Sequence, residues 1–132
     1  MFTITNEKEV QSVGSVSLNT LVYGDCLEVM KYIPSGSVDC VLCDPPYGWV
    51  GTTACKWDSI IPLDEMWKQL KRIIKPNGAI VMTASQPFTT VLIYSNLRAF
   101  KYNWVWDKKK SANFQLAKYQ PMKVHEDICV FS

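Results

Sequence analysis

Four consecutive residues, Asp44-Pro45-Pro46-Tyr47, carry more potential chemistry than any other stretch of these 132 residues. Each proline fixes φ near about −65° and offers no N–H, so the carbonyls of Asp44 and Pro45 sit on a stiff backbone. A carboxylate and a neighbouring carbonyl held together form two acceptors, matched to a group with two hydrogens such as an exocyclic amine. Tyr47 supplies a flat face on which a base could stack. Two acceptors on an amino group raise the electron density on its nitrogen and free a lone pair to attack a methyl donor. That is positioning and electrostatics, with no covalent intermediate required. The same four residues could equally end a strand, with the acid exposed and the tyrosine packed.

The surrounding elements decide between these readings. Leu18 to Tyr23 is a predicted strand ending at Gly24. Asp25 stands where an N-cap should, with Glu28 as a capping-box partner for a short helix. Val38 to Cys43 is a near-continuous apolar run, the pattern of a strand buried on both faces of a parallel sheet. Pro62 opens the clearest helix, in which Leu63, Met66, Trp67, Leu70, Ile73 and Ile74 recur at helical spacing. Asp64 and Glu65 suit its positive end, Lys71, Arg72 and Lys75 its negative end, and Pro76-Asn77-Gly78 is expected to terminate it. A strand over 79–84 follows, then a helix opened by Ser85-Gln86-Pro87 with Phe88, Val91, Leu92 and Ser95 along one side. Tyr102 to Asp107 and Val124 to Phe131 read as closing strands. This alternation predicts an α/β sheet, parallel at least in part and covered on both faces, whose ligands bind beyond the carboxyl ends of the strands. Asp25, Asp44 to Tyr47 and Ser85 to Phe88 all fall at such ends. Three clusters expected on one rim favour the chemical reading.

Composition sets bounds. The chain is 48% hydrophobic and 20% charged, which fits one folded domain over 1–132, with 1–17 expected as a loosely ordered arm. No apolar run approaches the ~20 residues of a membrane helix, and the start lacks a basic region followed by an apolar one, so a cytoplasmic, membrane-free protein is expected. Five cysteines at irregular spacing suit buried thiols in a reducing compartment. Cys40 and Cys43 lie three apart on a strand and point to opposite faces, which argues against a redox pair; no metal site is expected. Six lysines (101, 108, 109, 110, 118 and 123) stand against Asp107 alone in 101–123. That segment reads either as a footprint for phosphate or as a solvated loop. His125 has no partner for acid–base work.

Asp44-Pro45-Pro46-Tyr47-Gly48 resembles the catalytic motif of amino-group DNA methyltransferases, which methylate adenine N6 or cytosine N4. "LVYGDCLEVMKYIPSGSVDCVLCDPPYG" is similar to the opening of the permuted, β-class members. "KWD", "LKRIIKPNGAIVMTASQPF", "YNWVWDKK" and "HEDICVFS" are similar to segments of phage-like and restriction-associated ones. The resemblance covers roughly residues 18 to 132. It implies a class I, Rossmann-like fold, S-adenosylmethionine as cofactor and double-stranded DNA as substrate, with the initial aspartate favouring adenine. On this resemblance Asp44 and the Pro45 carbonyl hold the amino group of a flipped base, on the stiff Pro45-Pro46 floor, and Tyr47 stacks on that base. Asp25, with Cys26 beside it, and Asp44 face the cofactor, although the N-cap role of Asp25 needs none. Gln86, Phe88 and Trp106 wall the base pocket, and Lys108, Lys109, Lys110 and Lys118 contact phosphates.

Two departures accompany the match. Trp49-Val50-Gly51 reads as a short insertion between "DPPYG" and "TTACKWD". The glycine-rich G-x-G motif that cradles the methionine end of the cofactor is absent, since the glycines are 14, 24, 36, 48, 51 and 78. The expectation is therefore a partial fold that lacks the strands of the methionine-binding half, including two between those of 18–23 and 38–43. Its open strand edges would suit a second chain or self-association. A non-catalytic relative that binds DNA or a protein is the alternative; a methyltransferase acting on RNA or a small molecule fits the long match less well.

Overall fold

Helices and strands alternate along the chain as the changes in apolar spacing predict. A computed structural model describes residues 3–48, 58–112 and 114–132. In order these form β1 (Thr3–Asn6), α1 (Glu7–Val13), β2 (Thr20–Tyr23), α2 (Cys26–Met30), β3 (Val38–Cys43), α3 (Leu63–Ile73), β4 (Ile74–Ala84), α4 (Phe88–Ser95), β5 (Phe100–Ala112), a 3-10 turn (Phe114–Leu116) and β6 (Lys123–Phe131). They group into two units, one of residues 1–40 and 62–78, the other of residues 41–61 and 79–132.

In the first unit β1 and β2 pair in parallel, from Thr3 opposite Thr20 to Asn6 opposite Tyr23. The stretch expected as a loose arm thus holds a strand and a helix. Local chemistry accounts for it: the Asn6 side chain accepts from the Glu9 N–H at 3.1 Å, and Gly14, at φ 77°, closes α1 with its N–H on the Val10 carbonyl at 2.8 Å. Asp25 caps α2 as predicted, accepting from the Leu27 N–H at 2.8 Å. The capping-box partner differs. Glu28 is drawn to Lys31 at 2.7 Å, and the Asp25 N–H is met by Glu7 Oε2 of α1 at 3.1 Å.

Helix α3 buries Met66, Trp67, Leu70 and Ile73, the predicted stripe. Its Arg72 reaches out of the helix: Nη2 donates to the Met30 carbonyl at 2.6 Å, and Nη1 to the Ile33 carbonyl at 2.8 Å and Ser35 Oγ at 3.2 Å. The Met30 carbonyl, which also accepts from the Ile33 N–H at 3.0 Å, uses its second lone pair for Arg72, and a cation is favoured at a helix C-terminus. Pro76-Asn77-Gly78, expected to end α3 as a turn, instead lies inside β4, which begins directly at Ile74. Gly78 is needed for proximity, because a Cβ there would sit 2.8 Å from the Asp39 carbonyl oxygen and 2.6 Å from Ile74 Cγ1.

The four-stranded sheet has the order β3-β4-β6-β5. β6 runs antiparallel to both neighbours, with Met82 opposite Cys129 and Trp104 opposite Ile128. In the second unit, Ile80, Met82 and Ala84 alternate on one buried face of β4. Phe88, Thr89 and Leu92 of α4 are buried with Cys129, Val130 and Phe131 of β6, whereas Val91, predicted on the inner side of α4, is exposed.

One strand departs from its sequence signature. Leu42 is 79% exposed and Cys40 is exposed, so β3 is not buried on both faces. Its position explains this: β3 is an edge of the sheet with one neighbour, where a continuous apolar run predicts two. β2, meanwhile, belongs to a separate two-stranded sheet with β1.

Candidate active site

Asp44 follows β3 directly, and its carboxylate is exposed while Pro45 beside it is buried. Asp44 Oδ1 accepts a hydrogen bond from Thr83 Oγ1 of β4. The Tyr47 hydroxyl lies 3.1 Å from the same oxygen and 3.0 Å from Thr83 Oγ1. The Tyr47 ring stacks on Phe88, with centroids 5.3 Å apart and planes 19° from parallel. Burial, with the negative charges of Asp44 and Glu126 behind it, holds the Tyr47 phenol well above its ordinary range, against the lowering effect of the Thr83 bond. It remains a neutral donor at any physiological pH.

Gly48 completes this turn for a conformational reason. Its φ is 61°, and a Cβ would run into the Ile60 side chain and lie 3.2 Å from the Ile60 nitrogen. The Gly48 N–H donates to Asp58 Oδ1 at 2.9 Å. The "D" of "KWD" thus ties back to the "G" of "DPPYG", while Trp49-Val50-Gly51 and Lys56-Trp57 lie outside the described residues.

The sequence-predicted pocket residues of this unit are placed unevenly. Phe88 is 2% exposed and lies against Tyr47, so it braces the tyrosine instead of presenting a free wall. Gln86 Oε1 accepts from Thr90 Oγ1 at 2.8 Å. Trp106 is 45% exposed on β5 opposite Glu126, with Lys108 Nζ 5.1 Å from its ring centroid and bonded to Glu126 at 2.6 Å. Lys109, at φ 62°, turns back on Asp107 through both its N–H and its Nζ, each at 2.8 Å, which holds that carboxyl below its usual range. Lys110 and Lys118 are exposed.

Asp25 and Cys26 belong to the first unit. One Asp25 oxygen is engaged in the cap, and the Cys26 thiol is raised by burial and by the Asp25 charge. A cavity of about 270 Å³ there is lined by Asn6, Glu7, Lys8, Tyr23 and Gly24. Among the described residues no group of three or more His, Cys, Asp or Glu could hold a metal ion.

Two participants escape a reading of the sequence. Thr83 is the one hydroxyl in the apolar strand after Gly78, at its last position but one, and that polarity was the available signal. Lys123 bonds to Ser85 Oγ across 38 residues, and nothing local in the sequence marks that pair.

No protein-family model matches the chain. Over 88 residues it is 33% identical to the type II methyltransferase M.HinfI of Haemophilus influenzae, covering 52% of this chain and 24% of that protein. Among solved structures, PvuII DNA methyltransferase (cytosine-N4-specific) matches with a TM-score of 0.63 at 15% identity, over 84% of this chain and 48% of that one. A Thermus thermophilus protein described as a DNA modification methylase, solved with S-adenosyl-L-methionine, matches with a TM-score of 0.58 at 19% identity, over 99% of this chain and 55% of that one. The chain therefore has, in part, the fold of S-adenosylmethionine-dependent methyltransferases. The resemblance to amino-group DNA methyltransferases drawn from "DPPYG" is borne out by these relatives. The chain spans about half the length of these solved structures and 24% of M.HinfI.

Proposed function

We propose that this chain is the catalytic portion of an amino-group DNA methyltransferase, acting on adenine N6 in preference to cytosine N4. The arrangement of Asp44, Tyr47 and Thr83 behind two prolines carries the reading. An exposed carboxylate with a stiff carbonyl beside it suits an amine, and a braced aromatic beside both suits the ring that bears the amine. Asp44 and the Pro45 carbonyl would accept the two amino hydrogens of a flipped base, and Tyr47 would stack on it. With S-adenosylmethionine bound, the amine lone pair would take the methyl in exchange for its bond to sulfur, and Asp44 or water would receive the surplus amine proton. The preference for adenine rests on aspartate at the head of the motif.

Asp25, with one oxygen engaged in the cap, and Cys26 fit the nucleoside end of S-adenosylmethionine, which supplies an electrophilic methyl when bound. No G-x-G stands in this sequence for the methionine end, so tight cofactor binding is proposed to need further polypeptide, in the same chain or a partner. Lys110 and Lys118 are the exposed candidates for phosphate; Lys108 and Lys109 would first exchange their carboxylates for it. The missing G-x-G also favours a second reading, a relative that binds DNA without modifying it.

The test incubates the chain with unmethylated plasmid DNA and a large excess of radiolabelled S-adenosylmethionine, which offsets weak binding by the chain alone, identifies the product nucleoside by mass spectrometry and measures DNA retention in parallel. N6-methyladenine, lost in Asp44→Ala, supports the first reading, and N4-methylcytosine corrects its base. Retention of DNA without transfer supports the second. Neither transfer nor retention overturns both.

A further inference from the structure

Two prolines fix the main chain of Asp44-Pro45-Pro46-Tyr47, but they leave the χ angles of Asp44 and Tyr47 free. Something else must set where the carboxylate and the ring point, and the hydrogen bonds identify it. An ionised carboxylate only accepts, so the bond between Asp44 Oδ1 and Thr83 must be donated by Thr83. With its single hydrogen spent there, Thr83 Oγ1 is an acceptor toward the Tyr47 hydroxyl 3.0 Å away. Both hydroxyls thus point their hydrogens toward Asp44: Thr83 donates to Oδ1 directly, and Tyr47 shares its one hydrogen between Thr83 Oγ1 and Asp44 Oδ1 at 3.1 Å.

We propose that Thr83 is the positioning residue of this site: one hydroxyl on β4 sets the carboxylate of Asp44 and the ring of Tyr47 at a fixed spacing. The inference rests on the reading of Asp44 as the amine acceptor and of Tyr47 as the stacking platform. Both bonds to Asp44 end on Oδ1. The commitment of Oδ1 makes Oδ2 the oxygen offered to the substrate amine, and it fixes that oxygen relative to the ring plane. Phe88 holds the Tyr47 ring from its face, while Thr83 holds it from its hydroxyl end. Thr83 touches no reacting atom and acts through its two neighbours.

Thr83→Val keeps the shape and removes both bonds, Thr83→Ser keeps the hydroxyl, and Thr83→Ala replaces the valine variant should that fail to fold. The first measurement needs no turnover. In ¹³C-labelled full chain, the Asp44 Cγ and Tyr47 Cζ resonances, assigned with Asp44→Asn and Tyr47→Phe, should both move in Thr83→Val and return in Thr83→Ser. Resonances that stay in place overturn the proposal. The second measurement is methyl transfer. Turnover should fall about tenfold in Thr83→Val, the loss of one net hydrogen bond in positioning, with the KM for DNA within about twofold and Thr83→Ser close to the parent. Turnover within about twofold of the parent overturns the proposal, since a tenfold loss is what one bond is worth. If the parent chain transfers nothing, the transfer reading falls, and the resonances alone decide on Thr83.

Discussion

Asp44 is exposed, and the folded chain does not need it for packing; its neighbours are what hold it in place. Buried neighbours of an exposed reactive group respond to mutation differently from the group itself. Tyr47→Phe keeps the ring on Phe88 and loses one bond, so about one kcal/mol of stability should go with it. Phe88→Ala removes a ring that is 2% exposed and should cost about 3–5 kcal/mol, while also freeing Tyr47 to turn. Urea unfolding of the two variants checks this ordering, and a Phe88→Ala loss below that of Tyr47→Phe would contradict the bracing role. The prolines, tyrosine and aspartate could be read from the sequence because they are contiguous and their backbone restrictions are local. Phe88 was placed on the same rim by the strand ends, but its stacking on Tyr47 and the bond from Thr83 could not be read, because each reaches the site from a segment about 40 positions away.

The elements show the same division between local and distant information. Helix α3 was legible up to its end, since most of its apolar stripe and terminal charges fall within eleven residues, whereas Ile74 and Lys75, read with it, open β4. β3 was placed correctly and its burial was not: an apolar run specifies a strand, but not how many neighbours that strand has. Arg72 shows what pattern alone leaves out. It reads as a charge favourable to the end of α3, yet its guanidinium fork clasps the last carbonyl of α2, Met30, at 2.6 Å and that of Ile33 in the turn beyond at 2.8 Å. A planar fork can bridge two carbonyls and Ser35, and an ammonium cannot reproduce that geometry. Arg72→Ala should therefore destabilise the chain by about 2–3 kcal/mol, as expected for hydrogen bonds from a charged donor. Arg72→Lys should recover less than half of the loss in the same urea titration. Full recovery would reduce the clamp to simple charge attraction.

At the scale of the whole chain, the formal net charge of +2 conceals a basic stretch at 101–123, and salt should weaken any binding of DNA there. The α/β class was legible from the alternation of elements. The separation of β2 from β3 into two sheets was expected from the strands the resemblance leaves out, whereas the pairing of β2 with β1 was not, because long-range pairing leaves no mark in spacing. The dependence of stability on pH is also a property of the whole chain, and Cys129 and Tyr47 lead its alkaline limb, to which the raised Cys26 thiol adds. Cys129 is fully buried, and desolvation together with the Asp127 charge pushes its thiol up to about 11 from 9.0. Tyr47 is raised by burial from an ordinary value of 10.0. Both pKa values are higher folded than unfolded, so above pH 9.0 the native state holds protons that the unfolded state has released. Stability should be level from neutral pH to about 9 and should fall between 9 and 11, by at most about 1.4 kcal/mol per pH unit for the thiol alone. The slope should steepen above about 10 as Tyr47 joins. Urea midpoints measured from pH 8 to 11 would show the decline. Cys129→Ala, whatever its cost at neutral pH, should flatten the curve between 9 and 10 and lessen its slope up to 11, while Tyr47→Phe should remove the added slope above 10 and leave the part below it. A parent chain with level stability to pH 11 would contradict the part given to both groups, and a Cys129→Ala variant with an unchanged slope would contradict that of Cys129.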